Sequence, residues 1–187
     1  MTKEEIYRIL SDHMVQGLML HSKLADFYGF LSFKGYQKCH EYHYIEENIN
    51  YRKLINYYLY HCGKLIPDTG FNKTDVIPEN WFQHSRNDVG NETKLNSLKV
   101  GIDKWVKWEI NTKQLYERMY GELISLNEIA AGENLMIFIK DVDNELAEAQ
   151  QEMLEITTMN YDLNDIMMKQ EDIFKTYKKK LNEIKYD

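Results

Sequence analysis

Apolar residues recur along this chain at steps of three and four. In residues 4–31 they fall at Ile6, Ile9, Leu10, Met14, Leu18, Leu24, Phe27, Tyr28 and Leu31. That spacing keeps them on one side of a 3.6-residue helix. Residues 36–62 continue with Tyr36, Cys39, Ile45, Ile49, Leu54, Tyr57 and Tyr58, and Gly63 follows, a residue suited to a helix C-terminus. Residues 92–130 form a third such segment, from Leu95 through Trp105 and Met119 to Leu126. A fourth runs over 134–159. A fifth, 162–186, carries Leu163, Ile166, Met167, Ile173, Phe174, Tyr177, Leu181 and Ile184 on one face. No useful stretch alternates with the two-residue period of a strand.

The breaks between these segments set the topology. Residues 32–35 and the run Ala130-Ala131-Gly132 are short, so the helices they join are expected to be antiparallel neighbours. The second and third segments are separated by a longer connection, from Ile66 to about Gly90. It holds both prolines of the chain, Pro67 and Pro78, and an Asn/Asp/Thr-rich run at 68–75. Proline inside a helix costs about 3 kcal/mol, so its confinement here marks the connection as non-helical, apart from a short helix expected around 79–86. A connection of this length can cross from one end of a bundle to the other and leave the second and third helices parallel. The expected architecture is all-α: a four-helix bundle over residues 1–160, with an additional C-terminal helix, 161–187, packed on the bundle or on a partner.

Composition narrows the function. The net charge is −7, from 23 basic and 30 acidic residues, which argues against nucleic acid as a main partner. No run of about 18 apolar residues exists to span a membrane. Two cysteines, Cys39 and Cys62, make no disulfide framework and fit a reducing compartment. The expectation is a cytoplasmic protein. Phosphate loops, nucleophile elbows and C-x-x-C motifs are absent from the sequence.

Chemistry is then sought among acids and histidines on the inner helix faces, where charge is costly unless paired or metal-bound. Cys39, His43, Glu47, Asn50 and Leu54 are spaced four, four, three and four, and share one face of the second helix, with His40 and Glu46 beside it. The first helix offers His13, Gln16, His21 and Asp26, of which His21 shares the core face with Met14. Glu109 follows Trp108 in an apolar run of the third helix. Glu145 and Glu148 lie three apart on the fourth.

The run from Gly35-Tyr36 through His43-Tyr44-Ile45-Glu46-Glu47-Asn48-Ile49-Asn50 and Leu54 to Gly63 resembles the second helix of ferritins. That family shows a Gly-aromatic start, a Glu-Glu-x-x-His core, a Leu on the next turn and a Gly near the end. The resemblance to ferritin-like proteins, the Dps-type mini-ferritins included, is topological over residues 5–157, and about thirty residues carry it as sequence. It implies a bridging role between two metal ions for Glu47, oxygen ligation by Glu109, Glu145 and Glu148, and an imidazole from His43 or His21. Two positions depart from the pattern: Asn50 stands where the family has its ligand histidine, and the first-helix glutamate falls near Met14. The implied function is a divergent ferritin-like protein that binds, oxidises and sequesters iron as a homo-oligomer. The alternative is a metal-free helical scaffold that meets or inhibits a protein partner, through its C-terminal helix or by the complementary charge of a basic partner.

Overall fold

The computed structural model describes residues 1–64, 66 and 89–184. The short helix expected around 79–86 lies outside the described residues. Five helices follow in order: α1 (Lys3–Phe30), α2 (Lys34–Cys62), α3 (Asn91–Ser125), α4 (Ile129–Thr158) and α5 (Leu163–Glu183). The chain is all-α among the described residues, a four-helix bundle with an additional C-terminal helix.

Local sequence accounts for the helix ends. Thr2 and Glu5 form a reciprocal capping box at the start of α1, with Glu5 N–H donating to Thr2 Oγ1 at 3.2 Å and Thr2 N–H to Glu5 Oε2 at 2.7 Å. Gly63 ends α2 with φ at 63°, where a side chain would be strained. Asp162 caps α5 by accepting from the Asn164 and Asp165 amides.

Two expected breaks shift. Gly35 already lies inside α2, and the α1–α2 turn centres on Ser32, with φ at 70°. Gly35 serves packing instead. A Cβ there would sit 2.1 Å from the backbone carbonyl oxygen of Gln170, so its lack of a side chain lets α5 approach α2. Similarly, Ala130-Ala131-Gly132 is the first turn of α4, with Ala131 and Gly132 buried. The chain reverses earlier, at Asn127, with φ at 60°. Small residues mark a close helix approach as readily as a break, and the apolar pattern cannot tell the two apart.

Two apolar clusters fill the bundle, one toward each end. Leu24, Tyr28, Tyr36, Leu98, Ile102, Trp105 and Ile156 belong to the first. Ile6, Leu10, Met14, Leu54, Met119, Leu123 and Phe138 belong to the second. The starts of α2 and α3 thus share one end, so these helices run parallel. Ile66 packs against the second cluster and Val89 against the first, which places the two sides of the long connection at opposite ends. α5 turns its apolar stripe, Ile166, Ile173 and Tyr177, onto its own bundle beside α2. No helix among the described residues is long and apolar enough to cross a membrane.

Candidate metal centre

Between the two apolar clusters each of the four bundle helices becomes polar. α1 contributes Gly17 and His21, α2 His40, His43 and Glu47, α3 Glu109 and Thr112, and α4 Glu145, all buried. The inward stripe of α2 is as the spacing implies: Cys39, His43, Glu47 and Leu54 are buried and Asn50 is half-buried.

His43 is the hub. It is 1% exposed, with Nδ1 3.5 Å from Glu46 Oε2 and Nε2 3.7 Å from Glu148 Oε2. Donor atoms of His43, Glu46 and Glu145 lie within 4.8 Å of one another, close enough to ligate one ion. These residues line a cleft of about 380 Å³, along with Tyr42, Glu148 and Lys180. Tyr42 Oη donates to Glu46 Oε1 at 2.5 Å. Deeper in, the Trp105 indole N–H donates to Glu109 Oε1 at 3.0 Å, and His21 Nε2 lies 3.7 Å from the same oxygen. Glu47 occupies room left by Gly17, where a Cβ would come within 2.9 Å of Glu47 Oε1.

Burial and mutual repulsion raise the proton affinity of the inner acids. Burial, then the charge of Glu109, pushes Glu47 up to about 8. Burial pushes Glu109 up to about 7. Glu145 is held well above the carboxylate range by burial and by the charges of Glu109 and Glu47. Burial keeps His21 and His40 well below the usual imidazole range. For His43 burial opposes the charge, but Cys39, Glu46 and Glu145 outweigh it and the imidazolium is favoured. The Cys39 thiol is itself pushed up by burial and Glu145 is held protonated, so the partner that sustains that charge is Glu46, whose own proton affinity is lowered by His43 and Tyr42 against the effect of burial.

Of the residues expected at a metal site, Glu47, Glu109, Glu145, His43 and His21 are therefore inside the bundle. Glu148 is half-buried at the cleft. Among the described residues, convergence on one point is confined to His43 and Glu145 of this set, with Glu46 as the third member. Asn50 lines the cleft, and the imidazole comes from one turn before Glu47 rather than three residues after it. His13 is occupied otherwise: its ring stacks on Trp108 at 4.3 Å and its Nε2 hydrogen-bonds Thr112 Oγ1 at 2.7 Å. Asp26 is exposed. Sequence reasoning passed over Glu46 as a ligand and His40 as a buried polar residue. Their signal was the i, i+3, i+6 series His40, His43, Glu46, which runs beside the chosen stripe.

No family model and no curated protein sequence matches the chain. Its backbone does match solved structures. An open-pore ferritin from the hyperthermophilic archaeon Archaeoglobus fulgidus superposes with a TM-score of 0.77 over 93% of this chain and 98% of that one, at 10% identity. The fold is ferritin-like. An engineered closed form of the same ferritin matches with a TM-score of 0.77 at 10% identity, over 93% of this chain and 96% of that one. A humanized archaeal ferritin matches with 0.78 at 12% identity, over 93% and 97%.

The donor set suits iron or a similar cation of intermediate hardness, which takes carboxylate and imidazole ligands. Both ring nitrogens of His43 and Glu109 Oε2 are buried without a hydrogen-bond partner. Unpaired polar atoms of this kind cost about 1–3 kcal/mol each, and a bound cation relieves that cost together with the repulsion among the acids.

Proposed function

We propose that this protein binds iron inside its bundle and promotes its oxidation, as a divergent ferritin-like protein that self-assembles into a homo-oligomer. His43, Glu46 and Glu145 would hold the ion at the cleft, with Glu148 beside them and Glu47 and Glu109 deeper in. Ferrous ion is here the substrate, and its electron passes to dioxygen or peroxide. The carboxylates favour the more highly charged ferric product. The observation that carries this reading is the convergence of one imidazole and two carboxylates at the cleft, backed by further buried acids that repel one another. The ferritin-like fold supports it. A metal-free scaffold acting through its C-terminal helix has less support, because the apolar stripe of α5 is already buried on its own bundle.

The test is ferrous titration of chelator-treated protein, followed by exposure to air and absorbance of the ferric product. The native chain is expected to oxidise iron faster than buffer, and Glu145→Gln or His43→Gln to remove most of the gain. Equal rates in protein and buffer would overturn the proposal. Light scattering addresses assembly, for which a monomer at all concentrations is the contrary result.

A further inference from the structure

The C-terminal helix packs beside α2 and also reaches the carboxylate cleft. Its first half is anchored to α2 and α4. Gln170 Oε1 accepts from the Gly35 N–H at 3.3 Å, and Lys169 pairs with Glu152 at 3.1 Å and with Glu155. Its second half lays two side chains against the cleft. Tyr177 is 4% exposed, and its ring centroid lies 5.5 Å from that of Tyr42 and 6.0 Å from that of His43. Lys180 lines the cleft, with Nζ 4.4 Å from the Tyr177 ring centroid and 4.9 Å from that of Tyr42. Both distances fall within cation–π range, so one ammonium holds the two rings together.

Tyr42 links this wall to the ion. Its hydroxyl donates to Glu46 Oε1 at 2.5 Å. That leaves Glu46 Oε2, the oxygen 3.5 Å from His43 Nδ1, for a cation shared with His43 and Glu145. Glu46 is half-buried at the edge of α2, where a long side chain loses entropy when one orientation is imposed on it. A hydrogen bond from a fixed ring imposes that orientation before the ion arrives, which strengthens binding. From α2 itself the Tyr42 ring meets His43 edge-on at 5.7 Å, and Tyr177 and Lys180 hold it from outside that helix. The Tyr177 hydroxyl is buried with no hydrogen-bond partner among the described residues. What Tyr177 offers the cleft is therefore its ring.

We propose that α5 completes the metal centre: Tyr177 is a positioning residue that, with Lys180, fixes the Tyr42 ring so that its hydroxyl aims Glu46 at the ion. This rests on the ligand set proposed above and not on iron oxidation. Hydrogen bonds orient ligating carboxylates, and their loss typically weakens metal binding about 10–100-fold. Because Tyr177 acts through Tyr42, the two side chains work as one unit and the effects of removing them do not add.

The experiment titrates the full chain, treated with a chelator, with cobalt(II), whose binding needs no oxidation. Calorimetry gives the affinity and visible absorption reports the ligand geometry. Tyr42→Phe keeps the ring and loses the donor, and is expected to weaken the tight cobalt equivalent by about 10-fold. Tyr177→Leu is expected to weaken it by a similar factor, with the same change in the cobalt bands. The double variant is expected to match either single variant. Tyr177→Phe keeps the ring and is expected to bind like wild type. Circular dichroism establishes that each variant is folded before titration. Wild-type affinity in Tyr42→Phe or in folded Tyr177→Leu, a double variant weakened by the product of the single effects, or a Tyr177→Phe as weak as Tyr177→Leu would each overturn the proposal. The expected cobalt pattern without iron oxidation would count against the proposed function alone. Iron oxidation with cobalt binding indifferent to both tyrosines would overturn the role of α5 alone.

Discussion

Glu109→Gln should stabilise the metal-free protein, and only at high pH. An ordinary glutamate loses its proton near 4.5, whereas burial holds the Glu109 proton up to about 7. Between those values the folded chain binds more protons than the unfolded one, so stability falls as the pH rises through this window and levels off above it. At about 1.4 kcal/mol per pH unit, the difference is on the order of 3 kcal/mol once Glu109 is fully ionised. Glutamine keeps the shape and an oxygen for the Trp105 indole N–H, but removes the charge and its repulsion of Glu47 and Glu145. For a chain of this length, 1 kcal/mol moves the midpoint by about 2–4 °C, so the variant should melt about 6–12 °C higher at pH 8.5 and close to wild type at pH 5. The assay is thermal unfolding by circular dichroism in excess chelator at both pH values. A Glu109→Gln protein no more stable than wild type at pH 8.5 would refute the claim that ionisation of this acid opposes folding. An equal gain at both pH values would trace the effect to packing instead. Adding metal should stabilise wild type more than the variant.

Gly35→Ala should loosen α5, because the new Cβ would fall 2.1 Å from the Gln170 carbonyl oxygen, a backbone atom that cannot swing aside. The expected loss is about 1–3 kcal/mol in thermal unfolding, with faster proteolysis in the α4–α5 turn, and an unchanged melting curve would contradict the close approach. Cys39 should resist thiol reagents in the native protein while the half-buried Cys62 reacts, since Cys39 is 3% exposed and burial pushes its thiol up. Rapid modification of both thiols without unfolding would contradict that burial.

The helical plan was legible because long apolar stripes and confined prolines are direct consequences of core packing. The parallel arrangement of α2 and α3 followed from one long connection. Positions of small residues were less legible. Gly35 and Ala130-Ala131-Gly132 look like breaks in sequence, yet they are places where another segment comes too close for a side chain. Glu47 was legible from helical spacing, whereas Glu109 and Glu145, both buried, were pointed to by the resemblance to ferritins rather than by spacing within their own helices. Glu46 was not, because it sits at the edge of the stripe and reaches the cleft sideways, where Tyr42 and His43 hold it. His40 escaped for a related reason: its partner is on α1, and no pattern within one helix announces a contact between two.

The polar belt across the waist has a mechanical consequence. Because greasy blocks above and below are interrupted at the same level on all four bundle helices, sliding any one helix by a turn would push acids or imidazoles into hydrocarbon on one side and strand apolar rings among charges on the other. The belt thus acts as a key that admits a single vertical alignment of the helices, at the expense of some stability, in the way a lone polar residue sets the stagger of a coiled coil.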